Sequence, residues 1–153
     1  MVQSYSKFDS MTTDSIHQFL QDQHCDVDSL TFLAGDASAR TYYRVYKNSE
    51  SRILMVSSED ISKNKSFVEI ADLLNVYGFH APEVLAADEL TGLYLLEDLG
   101  DLTFNRALQD DVPENLLYEL GVFGLVEMHK SFLQNERNIP AYDITRFCDE
   151  AML

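Results

Sequence analysis

Two stretches of the chain combine residue types that could do chemistry. The first, Gly35-Asp36-Ala37-Ser38-Ala39-Arg40, is small and polar. Small residues let main-chain amides approach an anion, so this segment is a candidate phosphate cover, with the Ser38 hydroxyl as a further donor. It lacks a G-x-G-x-x-G pattern, and one glycine between two strands also fits an ordinary turn. Arg40 and Arg44 beside it, and Lys63 and Lys65 further on, are cations that could reach a phosphate. Solvated surface positions suit all four as well. The second stretch, Leu96-Glu97-Asp98-Leu99-Gly100-Asp101, concentrates acids in a short connector. A solvated acidic loop is one reading of it.

Other chemistry is absent or coincidental. His24-Cys25-Asp26 is the one H-x-D, but Thr31 stands where a metal-binding Asn would follow. Asp26-Val27-Asp28 lacks the Gly and terminal Glu of a calcium loop. His17, His80 and His129 have no metal-ligand spacing. No G-x-S-x-G and no Cys–His nucleophile pair is present. Cys25 and Cys148 are far apart and read as reduced thiols of a cytoplasmic protein.

The elements that must position these residues follow from periodicity. Residues 1–12 read as a tail. Thr13 is placed to cap a helix over 13–23, with Ile16, Phe19 and Leu20 on one face. Leu30 to Leu33, Thr41 to Tyr46 and Arg52 to Val56 are rich in aromatic and β-branched residues and predict three antiparallel strands. A helix follows over 66–77, with Phe67, Ile70, Ala71, Leu74 and Tyr77 on one face and Gly78 ending it. Glu83 to Ala87 and Leu93 to Leu96 form a second hairpin. After Gly100 the signals are helical: a short helix over 103–108, then a long one from Pro113 to about Leu133. Gly121 and Gly124 inside the long helix suggest close packing against another element. A further helix begins at Tyr142 and reads as interrupted at Leu153. The fold class expected is α+β: a five-stranded antiparallel sheet with a packed helix, running into helices.

Composition narrows the function classes. Among 153 residues, 46% are hydrophobic, with nine Phe and eight Tyr, enough for one folded core. The formal charge of −15 disfavours nucleic-acid binding. The longest apolar run, Leu120 to Val126, is far short of the ~20 residues a membrane span needs. The N-terminus has no apolar secretory segment.

The order of elements resembles a protein-kinase-like N-lobe entering its C-lobe. Gly35 to Val45 is similar to the first hairpin of the aminoglycoside phosphotransferase family, and within it to bacterial kinases of the anomeric hydroxyl of N-acetylmuramate and N-acetylglucosamine. Pro82 to Asp88, Leu95 to Asp101 and Pro140 to Asp143 match the same group, so the resemblance covers about residues 15–153. It divides the chain into a nucleotide-binding N-lobe over 13–99 and an incomplete helical C-lobe over 100–153. It implies ATP with magnesium as cofactor and a sugar or other small-molecule acceptor. Gly35, Asp36, Ser38 and Arg40 would then lie near the phosphates. The carbonyl of Glu97 and the amide of Leu99 would meet the adenine edge, with Leu96 behind it.

Two departures from the family pattern stand out. The third strand carries no lysine, and Glu69, the helix carboxylate nearest the usual partner position, falls on a polar face. The catalytic H-x-D-x-x-x-x-N loop and its metal ligands are also missing, so neither a catalytic residue nor a metal ligand is expected within the chain. The expectation is the N-terminal, nucleotide-binding part of a phosphotransferase, inactive alone, binding nucleotide weakly and prone to self-association through the long apolar helix. A non-catalytic kinase-like binding module and an unrelated acidic α+β protein are the alternatives.

Overall fold

In the computed structural model, residues 10–35, 39–58 and 61–133 are described. Helix α1 spans Ser10–Asp22 and leads into strand β1, Asp26–Gly35. Strands β2 (Arg40–Lys47) and β3 (Glu50–Ser57) follow, then helix α2 (Ile61–Val76) and strands β4 (Val84–Asp88) and β5 (Leu93–Glu97). Two helices complete the order, α3 (Phe104–Gln109) and α4 (Glu114–Leu133). The strands form one antiparallel sheet in the order β1-β2-β3-β5-β4. The predicted five-stranded antiparallel sheet with a packed helix is therefore what the chain forms.

Alternation along the strands builds two cores. Tyr43, Val45, Leu54, Val56, Leu93 and Leu95 point to one face and bury Ile16, Phe19 and Leu20 of α1. Ile53, Met55, Tyr94 and Leu96 point to the other face, where Phe67 and Val68 of α2 pack. The sheet is thus the middle layer of three, and each fully buried large side chain contributes about 2 kcal/mol of transfer free energy. Tight turns hold the strand ends in register. Gly92 takes φ +71° between β4 and β5, and a Cβ there would lie 2.1 Å from the Ser57 carbonyl oxygen, so only glycine fits.

Several boundaries differ from expectation. Helix α1 starts at Ser10, inside the predicted tail, so Thr13 is a helical residue and not a cap. Helix α2 starts five residues earlier than its apolar periodicity, because Asn64 takes a buried position that a polar residue does not advertise. Ile70, expected on the packed face, is 41% exposed. Strand β1 continues through Gly35, which shortens the loop before β2. The helix expected from Tyr142 lies outside the described residues.

The contacts divide the chain into two units, Met1–Leu102 and Thr103–Leu153. Within the second, Thr103 caps α3 by accepting a hydrogen bond from the Arg106 amide at 3.2 Å. Leu117 is buried, whereas Leu120, Phe123 and Leu125 of α4 are exposed. Among the described residues, contact at the helix glycines is limited to one neighbouring side chain. A Cβ on Gly121 would meet the Phe104 ring at an ordinary 3.5 Å, and one on Gly124 would meet nothing within 4 Å. No helix among the described residues is long and apolar enough to cross a membrane.

Candidate functional site

The α2 side of the sheet carries polar groups at both ends of an apolar stripe. Register fixes which residues share it. Arg40 stands opposite Ser57, Tyr42 opposite Met55 and Arg44 opposite Ile53, and β5 continues the rows with Tyr94 and Leu96. About 13 Å of strand separates Arg40 from Arg44, at roughly 3.3 Å per residue.

At the loop end, the Arg40 guanidinium lies 5.1 Å from the centre of the Phe67 ring. A cation at this distance is attracted by the ring's electron-rich face. Ser57 and Asn64 are both buried, and the Ser57 hydroxyl donates to the Asn64 side-chain oxygen at 2.8 Å. This bond ties the exit of β3 to the second turn of α2. Arg40, Lys63 and Phe67 line an open groove of about 340 Å³, with Ile70, Leu74 and Pro82 around the rest. Lys65 is instead exposed and pairs with Glu69 at 3.8 Å across one helical turn.

At the other end, Arg44 binds two carboxylates at once. Its Nε donates to Asp98 Oδ2 at 2.6 Å, and its Nη2 donates to Asp101 Oδ1 at 2.8 Å. The Ser51 hydroxyl also donates to Asp98, and the Gly100 amide donates to Asp98 Oδ1 at 2.8 Å. With only 6% of its side chain exposed, Asp98 is held ionised by these donors. Chiefly the hydrogen bond from Arg44 lowers its pKa to about 2 against the opposing cost of burial. Arg44 is raised in turn, first by its bond to Asp101 and then by that to Asp98. The reading of Arg44 as a solvated surface cation is therefore wrong, and so is that of Asp98 as part of a solvated loop. Neither residue announces the pairing locally; an arginine alternating with Tyr42 and Tyr46 on a strand was the available signal.

The candidate site residues distribute unevenly over this face. Gly35 ends β1 opposite Thr41, and a Cβ there would make only ordinary contact, so close approach does not require the glycine. Asp36 and Ser38 lie outside the described residues. Arg40 and Leu96 share the α2 face, Leu96 being almost fully buried opposite Ile53. Glu97 spends its amide on the Glu83 carbonyl at 2.9 Å, and its carboxylate lies 3.3 Å from His80 Nε2. Leu99 follows, half exposed. The segment after β5 is thus fixed in place by Arg44 while its tip stays open to water.

Among the described residues, no group of three or more His, Cys, Asp or Glu side chains could hold a metal ion.

Comparison with known proteins adds the following. The model of the phosphotransferase enzyme family, APH, matches residues 29–147. An N-acetylmuramate/N-acetylglucosamine kinase of Caulobacter vibrioides is 32% identical over 63% of this chain and 34% of its own length. Enzymes with the same name from Pseudomonas aeruginosa (32% identical, 72% of this chain, 32% of theirs) and Neisseria meningitidis serogroup B (30%, 74% and 34%) are also similar. The chain spans about a third of the length of the curated relatives it matches.

Proposed function

The chain belongs to the phosphotransferase enzyme family, and from that we propose that it is the nucleotide-binding part of an ATP-dependent kinase whose acceptor is an amino sugar. The observation that carries this is the sheet face with a cation at its loop end and a latched connector at the other. A nucleotide laid along that face would put its phosphates towards Arg40, Gly35 and, by the family resemblance, Asp36 and Ser38. Its base would lie towards Leu96, the Glu97 carbonyl and the Leu99 amide. The half-exposed Leu99 and the groove beside Arg40 fit such a ligand. Magnesium would accompany the ATP, and no ligand for it is assigned within the chain. The amino-sugar acceptor rests on the names of the relatives.

No H-x-D-x-x-x-x-N stretch occurs in the 153 residues, so this chain alone is expected to bind nucleotide without transferring phosphate. Two measurements test this. Magnesium-ATP should shift the backbone NMR signals of Arg40 and Leu99 in a titration. A coupled assay for ADP with N-acetylglucosamine or N-acetylmuramate should show no turnover above a protein-free control. Sugar-dependent ADP release would place a catalytic group within these residues. Unchanged spectra at millimolar ATP would remove the nucleotide reading altogether.

A further inference from the structure

Resting on that nucleotide reading, we infer that Arg44 is a positioning residue for the base: by gripping the carboxylates of Asp98 and Asp101 at once, it fixes the turn between them and with it the direction of the Leu99 amide. The guanidinium is used along two forks. Nε and Nη2 donate to the two oxygens of Asp98 at 2.6 and 3.1 Å. Nη1 and Nη2 donate to those of Asp101 at 3.1 and 2.8 Å. A planar fork sets direction as well as distance, so two forks in one plane fix both carboxylates relative to β2. Gly100 lets the chain return to the same guanidinium so soon. It takes φ +82°, and its amide closes on Asp98 Oδ1 at 2.8 Å.

What this leaves open is specific. Over residues 97–101, Glu97 spends its amide on Glu83, Gly100 spends its amide on Asp98, and Asp98 and Asp101 spend their carboxylates on Arg44. Leu99 is the one residue of the run with no hydrogen bond to another described residue. An amide without an acceptor in the fold, held in one direction from both sides, pairs with water or with a ligand. A ring nitrogen with a lone pair, such as adenine N1, matches it. Stability alone is a poor account of the second fork. The Asp101 side chain is 54% exposed, and an ion pair so open to water adds little to folding. Its geometric effect remains, because it ties down the chain on the far side of Leu99. Lysine could not replace Arg44, since one ammonium has no fork to share between two carboxylates. Arg44 does not itself touch the base; it acts through Asp98 and Asp101 on the main chain.

The test is an NMR titration of the chain with adenosine and with 1-deazaadenosine, in which a C–H replaces the acceptor N1. The parent should prefer adenosine by about fivefold or more, the effect of one unmet hydrogen bond. Arg44→Lys, which keeps the charge and loses the fork, should reduce that preference to less than about twofold. Asp101→Ala should do the same. Asp101 is exposed, so its variant remains informative if Arg44→Lys does not fold. Glu50→Ala removes another exposed carboxylate, from its ion pair with Arg52, and should leave the preference at the parent value. Circular dichroism checks each fold. A merely structural loss would weaken both probes by the same factor and leave their ratio unchanged. An unchanged ratio in either folded latch variant therefore overturns the positioning role while the nucleotide reading stands. Equal binding of the two probes to the parent also overturns it, because the Leu99 amide then does not meet the base. No adenosine binding to the parent at millimolar concentration defeats the nucleotide reading, and this inference with it.

Discussion

Asp98 shows how much one side chain can carry when it is taken out of water with its donors in place. Its folded pKa of about 2 lies below the ordinary 3.8. A depressed carboxylate stabilises the fold above its unfolded pKa and loses that contribution as pH falls through the folded one. The window is therefore from about pH 4 down to about pH 2. The difference corresponds to about 2 kcal/mol at neutral pH. Asp98→Asn should lower stability by about 2 kcal/mol in urea unfolding at pH 7. The gap between variant and parent should close as the pH falls towards 2. A gap that is constant with pH would mean that the carboxylate is not titrating against Arg44. The sequence could not show this pair, because the partners are 54 residues apart. Strand alternation placed Arg44 on a face, and only the tertiary path of the segment after β5 supplied the acids.

Elements were far more legible than pairs. Strand-like runs predicted the first three strands, Pro82 and a turn set off the second hairpin, and Pro113 marked the long helix one residue before α4 begins. Boundaries failed where a polar residue took a structural position, as Asn64 did inside α2. The candidate site was legible as segments; which cation serves which end depended on the register of β2 against β3. Met55 ties the two levels together. It stands between Tyr42 and Tyr94 in the ladder and is wholly enclosed. Met55→Lys would place an ammonium in that enclosure and should cost about 4 kcal/mol or more at pH 7, since a fully buried lysine loses several pKa units to desolvation. Denaturant unfolding measures the loss. A variant as stable as the parent would show that the α2 face can admit a strand lysine after all.

At the scale of the whole molecule, repulsion between acids opposes the attraction of exposed apolar surface. The formal charge is −15. Leu116, Tyr118, Leu120, Val122, Phe123 and Leu125 of α4 are all at least 45% exposed. Exposed apolar side chains in such a run favour association, and like charges hold copies apart at low ionic strength. Raising the salt shortens the screening length from about 30 Å at 0.01 M to about 8 Å at 0.15 M. Self-association should therefore increase from low to high salt in sedimentation velocity. A monomer at every salt concentration, with no binding of an apolar-surface dye, would mean that α4 is covered in solution.

The sheet also has a stiff middle and yielding margins. Strand β2 pairs with β3 through eight consecutive partners, and β3 pairs with β5 through five, without a single slip. The β1–β2 ladder is broken twice and the β4–β5 ladder once. A bulge leaves an amide out of the ladder and loosens its neighbours. In heavy water, the amides of β2, β3 and β5 should therefore keep their protons longest, and those of β1 and β4 should exchange first. Arg40 and Arg44 are both rooted in β2, so the two cations of the α2 face stand on the slowly exchanging part of the sheet.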